Sequence, residues 1–175
     1  MGYNSTIILK KRPCISCGAD SYIFSKGRCQ DCARIEDSMK RIDQSKGDKG
    51  EDLSGLIHDA DTLFSIYVRR KDANKQGEVA CYTCGTVKRY QELQCGHYMK
   101  RGNLFLRWDL RNARVQCYYC NVTKGGNARE FSLHLEREYP GITEILLEES
   151  RLVYKPSRDE MRNLVSELTQ KIKRL

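Results

Sequence analysis

The sequence predicts an α+β fold made of small zinc-stabilised domains, and three observations carry this prediction. Eight of the nine cysteines form four Cys-x-x-Cys pairs, a pattern of metal ligation in a reducing compartment, so we expect a cytoplasmic protein. A hydrophobic fraction of 39% in 175 residues allows only modest cores. Apolar residues recur at helical spacing before the third cysteine pair and after the fourth, which predicts helices flanking a central zinc-bound unit.

The first two cysteine pairs predict a zinc ribbon within residues 1–35. Its zinc ligands are Cys14, Cys17, Cys29 and Cys32. Their spacing, with glycines between the pairs, is typical of a zinc ribbon. The basic residues around it are Lys10, Lys11, Arg12, Lys26, Arg28 and Arg34. They favour a contact with DNA or protein, and a purely structural cap is the alternative.

Residues 36–54 are predicted to be a flexible linker. They are charged and spaced by glycines, and positions 45–52 contain almost no apolar group that could anchor them to a core. Residues 55–175 then form the second domain, which opens with an amphipathic helix over positions 56–68.

A final helix is predicted to begin at Ser157, because Ser157 and Glu160 have the spacing of a capping box. The residues on its apolar side are Met161, Leu164, Val165, Leu168, Ile172 and Leu175. This side can pack on its own domain or pair with the same helix of a second copy, so a homodimer stays open.

The third and fourth cysteine pairs predict a second zinc site. Its ligands are Cys81, Cys84, Cys117 and Cys120. Four thiolates leave no open position for a substrate, so we expect this zinc to be structural. It would clamp the polar segment 94–126, which is too short to bury a core of its own.

Within the clamped segment, His97, Asn112 and Asn121 follow one another in the order seen in HNH, or ββα-metal, nucleases. A neutral imidazole can take a proton from water near pH 7, so His97 is the candidate general base. Asn121, at the expected start of a helix after Cys120, would offer an oxygen ligand to Mg²⁺ or Mn²⁺. We expect Asn112 to hold the His97 loop by hydrogen bonding and Lys124 to contact phosphate.

The residue before the histidine departs from the HNH pattern. Gly96 occupies the position where many such nucleases carry an acidic metal ligand. Asn121 alone would bind a catalytic cation weakly, so His97, Asp109 or water must complete the coordination. His97 is therefore a candidate for two roles, general base and metal ligand.

The charge of the chain favours a polyanionic partner, and DNA is the one we expect. The net charge is +8, and positions 81–130 carry nine basic and three acidic residues. The candidate DNA-binding residues are Lys100, Arg101, Arg107, Arg111, Arg114 and Lys124. No apolar run approaches the roughly 20 residues that span a bilayer, so we expect no membrane partner.

Gly96-His97-Tyr98 lies between the third and fourth cysteine pairs, and the last pair is followed by Asn121 and by Lys124-Gly125-Gly126. With these motifs the segment 80–127 closely resembles the phage recombination protein NinG (Rap) family, and the resemblance extends from about Asp52 to the C-terminus. The resemblance implies an HNH-like nuclease domain flanked by helices. It further implies an endonuclease that cuts branched recombination intermediates, such as Holliday junctions and D-loops, in the cytoplasm of a bacterial host.

Two other function classes stay open. A catalytically inactive zinc-ribbon protein that binds DNA as a recombination accessory factor would explain the missing acid before His97. A protein-interaction module would show no salt-sensitive affinity for DNA. The endonuclease is favoured because a binding module has no need of His97, Asn112, Asn121 and Lys124 together.

Overall fold

A computed structural model of the protein describes residues 11–45 and 52–175, so Lys10 and positions 46–51 of the expected linker lie outside the described residues. The strands are β1 (Arg12–Pro13), β2 (Asp20–Ser21), β3 (Ile23–Ser25), β4 (Arg28–Cys29), β5 (Glu78–Ala80), β6 (Val87–Arg89), β7 (Gln94–His97) and β8 (Ala113–Gln116). The helices are α1 (Gln30–Ser45), α2 (Leu53–Arg70), α3 (Ala128–Glu138), α4 (Ile142–Glu149) and α5 (Arg158–Lys173). A 3₁₀ turn covers Tyr90–Glu92, and a π-helical turn covers Tyr119–Thr123.

The described strands pair as four separate antiparallel hairpins, β1–β2, β3–β4, β5–β6 and β7–β8. The first two belong to the N-terminal cysteine group. In β7–β8, Gln94 pairs with Gln116 and His97 pairs with Ala113. The architecture is thus a small mixed arrangement of helices and short strands, in agreement with the predicted fold class.

Helix α2 lies at the centre of the largest core and confirms the predicted amphipathic helix. Leu56, Leu63, Ile66 and Val68 on this helix are at most 1% exposed. They pack against α5 and against hairpin β7–β8. A helix covered on two sides needs a broad apolar surface, which explains the density of apolar residues in this segment.

Helix α5 begins with the predicted capping box. Ser157 Oγ accepts a hydrogen bond from the backbone N–H of Glu160, whose carboxylate accepts one from the N–H of Ser157. Met161, Val165 and Ile172 are at most 2% exposed and belong to the same core as α2. The apolar side of α5 is therefore used within the chain, which gives no support to a homodimer.

Helix α1 differs from the sequence-based expectation, because positions 36–45 of the predicted linker are helical. Ser38 Oγ donates to Asp59 Oδ1 at 3.2 Å, and Arg41 Nε donates to Asp59 Oδ2 at 3.0 Å. Glu36 and Lys40 form an i,i+4 ion pair at 2.9 Å. Ser38 and Arg41 thus hold α1 on α2, and Glu36 and Lys40 pair within α1, contacts that composition alone cannot reveal.

A buried ion pair joins α1, which follows the N-terminal cysteine group, to α2. Arg69 Nη2 of α2 lies 3.3 Å from Asp31 Oδ1 of α1, and the two side chains are 9% and 8% exposed. Arg69 also donates to the backbone carbonyls of Ser65 and Tyr90, both at 3.1 Å. One guanidinium therefore links α1, α2 and the 3₁₀ turn.

Helices α3 and α4 enclose a separate small core. Phe131 and Leu135 of α3 pack with Leu146 of α4 and with Leu106 from the loop that connects β7 to β8. None of the helices in residues 11–45 and 52–175 is long and apolar enough to cross a membrane.

We predict that Asp31→Ala destabilises the zinc-loaded protein by about 3 kcal/mol, because it leaves the buried Arg69 charge without its carboxylate. Denaturant unfolding followed by the fluorescence of Trp108 measures the loss. In Asp31→Ala/Arg69→Met, which removes both charges, most of the lost stability should return. A cost below about 0.5 kcal/mol for the single variant, the range of ordinary surface substitutions, would contradict this account.

Candidate active site and metal centres

The eight predicted zinc ligands form two compact groups of thiols. The groups are Cys14, Cys17, Cys29, Cys32 and Cys81, Cys84, Cys117, Cys120, and within each all sulfur atoms lie within 4.8 Å of one another. The sulfurs of Cys17 and Cys29 are 3.9 Å apart, and those of Cys84 and Cys117 are 3.8 Å apart. Zn–S bonds of about 2.3 Å in a tetrahedron place sulfurs about 3.8 Å apart, so both groups could hold zinc.

The two groups share one backbone feature that favours thiolates. The N–H of Cys29 donates to Cys14 Sγ at 3.3 Å, and the N–H of Cys117 donates to Cys81 Sγ at 3.2 Å. Burial alone would raise the pKa of Cys81, but these backbone hydrogen bonds and the Thr83 hydroxyl outweigh it and lower the pKa to about 6. Cys84 is exposed, whereas its three partners are buried.

The ninth cysteine lies outside both groups. Cys95 packs against the core around α2, and burial raises the pKa of its thiol to about 12. It is therefore a protonated thiol at neutral pH, as expected for a small, partly buried apolar residue and not for a metal ligand.

Strand β7 separates the predicted site residues onto two faces of its hairpin. Consecutive residues of a strand point to opposite sides, so Cys95 and His97 face one way while Gln94 and Gly96 face the other. His97 faces α2, where its ring lies 6.2 Å from that of Phe64. Asn121 lies on the opposite face, where its Nδ2 donates to Gln94 Oε1 at 2.7 Å.

The imidazole of His97 is held in one orientation. Its Nε2 lies 2.9 Å from the carbonyl oxygen of Arg107. A carbonyl can only accept, so Nε2 carries the proton and Nδ1 is the basic nitrogen. Burial lowers the pKa of His97 below its ordinary value of 6.5, which keeps the ring neutral at pH 7. A neutral ring of fixed tautomer is what a general base requires.

A cavity of about 230 Å³ opens beside His97. Helix α2 contributes its residues His58, Asp61, Thr62, Phe64, Ser65 and Arg69 to the wall, and Cys95 lies beside His97. Arg34 of α1 and Arg101 of the loop complete the wall. The cavity has room for several water molecules at about 30 Å³ each. The sequence does not indicate that α1 and α2 reach His97, because these helices precede the cysteine-clamped segment.

Asn112 fixes both ends of the loop between β7 and β8. Its side chain is fully buried; Nδ2 donates to the carbonyls of Met99 at 3.1 Å and Leu106 at 3.0 Å. Its Oδ1 accepts from the N–H of Met99 at 2.6 Å. These are the hydrogen bonds that a positioning role for Asn112 requires, and its buried side chain is closed to a substrate.

Asp61, which the sequence analysis does not identify, holds the same loop from outside. Its carboxylate accepts from Arg101 at 2.6 Å, from Arg107 Nε at 2.8 Å and from the Trp108 indole at 3.0 Å. Burial would raise the pKa of Asp61, but the two arginines outweigh it and lower the pKa. The partners of Asp61 are at least 40 residues away from it in sequence, so no local pattern could have indicated this role.

The expected helix after Cys120 begins later than predicted. Asn121 lies in the π-helical turn, and α3 starts only at Ala128. Gly125, Gly126 and Asn127 separate the two, with φ of 56°, 92° and 49°, which a right-handed helix cannot accommodate. Lys124 ends the turn and is exposed, with Nζ 5.2 Å from the centre of the Tyr119 ring.

Gly96 has a packing role that explains the absence of an acid. A Cβ atom at this position would lie 2.0 Å from Gln116 Oε1. The Gln116 side chain is fully buried and donates to Thr83 Oγ1 and the Gly126 carbonyl, while its Oε1 has no hydrogen-bond partner among the described residues. Gln116 thus occupies the space that an aspartate at position 96 would need.

The residues proposed for a catalytic cation do not come together. The Asp109 carboxylate accepts hydrogen bonds from the backbone N–H and the guanidinium of Arg111. Within the described ranges, only the two cysteine groups bring three or more His, Cys, Asp or Glu ligands together. With His97 and Asn121 on opposite faces, these residues do not fit a carboxylate-based site for Mg²⁺ or Mn²⁺.

All four candidate DNA-binding arginines are engaged within the protein. Arg101 and Arg107 bind Asp61, Arg111 binds Asp109 and Glu149, and Arg114 binds Glu138. The side chains of Arg107 and Arg114 are only 19% and 11% exposed. Lys100 and Lys124 are exposed, and among the described residues neither forms an ion pair. These two lysines are therefore the cations of the set best placed to meet a phosphate.

We predict two zinc ions per purified chain by metal analysis. Cys117→Ser should reduce this number to one and abolish the cooperative unfolding of the second domain, because zinc ligation contributes directly to folding. Cys95→Ser is the matched control, since this cysteine belongs to neither group, and it should retain both ions. Full zinc content in Cys117→Ser would show that the second group is not a zinc site.

We predict that Gly96→Ala destabilises the protein by about 1–3 kcal/mol, because the new methyl group collides with the Gln116 amide. In a Gln116→Ala background the same glycine substitution should cost far less, since the collision is gone. A double-mutant cycle by denaturant unfolding measures this coupling. Additive effects of the two substitutions would rule out the proposed contact.

Comparison with known proteins identifies the family. No curated protein and no solved structure matches the chain. A family model described as bacteriophage lambda NinG protein matches residues 25–175, a range that begins within the N-terminal cysteine group and includes the whole second domain. The chain therefore belongs to the NinG family, and this membership implies a role related to phage recombination.

Proposed function

We propose that the protein is a DNA endonuclease that cuts branched recombination intermediates of the Holliday-junction or D-loop type, with His97 as its general base. The observation that carries the proposal is the His97 imidazole, which is neutral, fixed through Nε2 on the Arg107 carbonyl, and open to a polar cavity. Membership of a recombination-related phage family supports DNA as the partner.

The chemistry that this arrangement could perform is hydrolysis of a phosphodiester bond. Nδ1 of His97 takes a proton from a water molecule as the water oxygen attacks phosphorus. The bond between phosphorus and the 3′ oxygen breaks, and that oxygen leaves with a proton from solvent. The products are a 5′-phosphate and a 3′-hydroxyl end. Because burial favours the neutral ring, the base is ready for this step at pH 7.

The loop that positions His97 is fixed by two polar anchors. Asn112 closes it from inside, and Asp61 binds its arginines and its tryptophan from α2. Preorganised groups do not have to be ordered at the moment of reaction, which favours catalysis. Asn112 and Asp61 are thus proposed to be positioning residues, whereas Lys124 is proposed to bind the DNA backbone.

A divalent cation has no step in this proposal. The residues present do not form a carboxylate site for Mg²⁺ or Mn²⁺, and Asn121 is engaged with Gln94 on the face opposite to His97. Mg²⁺ commonly keeps several waters and binds through the phosphates of the substrate. The cleavage experiment below therefore compares reactions with and without Mg²⁺ or Mn²⁺.

A second candidate function is a catalytically inactive DNA-binding accessory protein of recombination. It is favoured by one observation, the Gln116 side chain that fills the space beside Gly96, the position where many HNH nucleases carry an acid. This candidate predicts tight DNA binding without cleavage under any metal condition.

The decisive experiment measures cleavage of labelled four-way junction, D-loop and linear duplex DNA by the zinc-loaded protein, with Mg²⁺, with Mn²⁺ and without either. We predict junction-selective cutting that His97→Ala abolishes, while its DNA affinity stays within a few-fold of the original. His134→Gln is the matched control, because this histidine lies outside the cavity and bonds to the Tyr82 carbonyl.

The pH dependence provides an independent check. Since burial lowers the pKa of His97, the ring loses its basic nitrogen only when the pH falls below 6.5. The acidic limb of kcat/KM should therefore have its midpoint below 6.5. A midpoint well above that value, or normal cutting by His97→Ala, would exclude His97 as the base. Binding without cutting would favour the accessory protein.

A further inference from the structure

The cavity beside His97 is built by both halves of the chain. Helix α2 provides Thr62 and Ser65, whose side chains carry hydroxyl groups, and β7 provides His97. Arg34 comes from α1, two positions after the last ligand of the N-terminal cysteine group. The N-terminal module thus reaches the wall of the candidate active site.

The cations of this cavity are not equivalent. Arg69 is bound by Asp31, and Arg101 is bound by Asp61. Arg34 is exposed, and among residues 11–45 and 52–175 it has no ion pair. It is therefore the guanidinium of this cavity whose charge no carboxylate offsets, and it lines the same cavity as Thr62, Ser65 and His97.

The position of Arg34 is fixed by the helix that carries it. Asp31, one turn earlier on α1, forms the buried pair with Arg69, and Ser38, one turn later, donates to Asp59. These contacts hold α1 against α2 on both sides of Arg34. Its backbone therefore needs no reorganisation when its side chain meets a ligand, which lowers the cost of binding.

We propose that Arg34, with the hydroxyl groups of Thr62 and Ser65, forms a subsite for a phosphate group next to His97. The planar guanidinium matches two oxygens of a phosphate at once, and hydroxyl groups are donors to the others. The cavity of about 230 Å³ holds a phosphate with its waters. The inference rests on the proposed function: the phosphate belongs to the DNA backbone at the scissile position or beside it.

The proposed subsite gives the N-terminal zinc module a function in substrate binding. By this inference the module is part of the active site, because it supplies one of the groups that contact the substrate. Loss of its zinc would release the start of α1 at Cys32, while the contacts of Asp31 and Ser38 with α2 and the hydrogen bond between His97 and Arg107 would remain.

The test uses inorganic phosphate as the probe and the full zinc-loaded chain. The imidazole NMR signals of His58 and His97, both on the cavity wall, are followed during titration. The original protein should give saturable shifts, and Arg34→Ala should weaken phosphate binding at least tenfold. Arg34→Lys keeps the positive charge but loses the planar guanidinium that can bind two phosphate oxygens, so its phosphate affinity should lie between those of the original protein and Arg34→Ala. Arg137→Ala removes another exposed helical arginine and should bind phosphate as the original does.

A second arm replaces phosphate by labelled four-way junction DNA. If the subsite serves the DNA backbone, Arg34→Ala should lower kcat/KM at least tenfold, with less than a twofold change in Arg137→Ala. Should the protein cut no DNA, the proposed function fails while the titration still decides on the subsite. The proposed subsite would be overturned if the original protein and Arg34→Ala bound phosphate with equal affinity, or if neither gave saturable shifts. Circular dichroism and zinc content check the fold of each variant, and Arg34→Gln replaces Arg34→Ala if that variant is unfolded.

Discussion

Helix α2 is the element on which the rest of the structure depends, because it combines the main apolar core with three polar anchors. Its apolar residues join α5 to the β7–β8 hairpin. Asp59 binds α1, Asp61 binds the loop after β7, and Arg69 binds Asp31. Buried polar groups of this kind must be satisfied by specific partners, so they fix orientations that apolar packing alone would leave variable. Neither cysteine group supplies this connection between α1 and the rest of the described chain.

This dependence explains where the candidate chemistry lies. The second cysteine group clamps the segment that contains His97, but the cavity on which the imidazole opens is made largely by α2 and is completed by α1. The second cysteine group and the candidate catalytic face are thus on different sides of one hairpin. His97 belongs to the α2 side, and Asn121 belongs to the cysteine side.

Features determined by local sequence could be predicted. The two cysteine groups, the amphipathic helix α2 and the capping box of α5 follow from spacing and periodicity, and the structure contains all of them. Features determined by contacts between residues distant in sequence could not be predicted. The side chains that neutralise Arg101, Arg107 and Arg114 are remote in sequence, so net charge overstated the cations available to DNA. The faces of β7 also escaped prediction, because residue order does not specify which side of a strand meets which helix.

The exposure of Cys84 has a consequence for how the second cysteine group can be damaged. Its three partners are buried, so an oxidant or a competing chelator meets this sulfur first. Loss of Cys84 from the group would loosen the hold on Cys117 and on the turn that carries Asn121 and Lys124. The loop around His97 would keep its own anchors on Asp61 and Asn112. Oxidation would then impair the cysteine side of the hairpin before the α2 side, and a reductant with zinc could reverse an early stage of the damage.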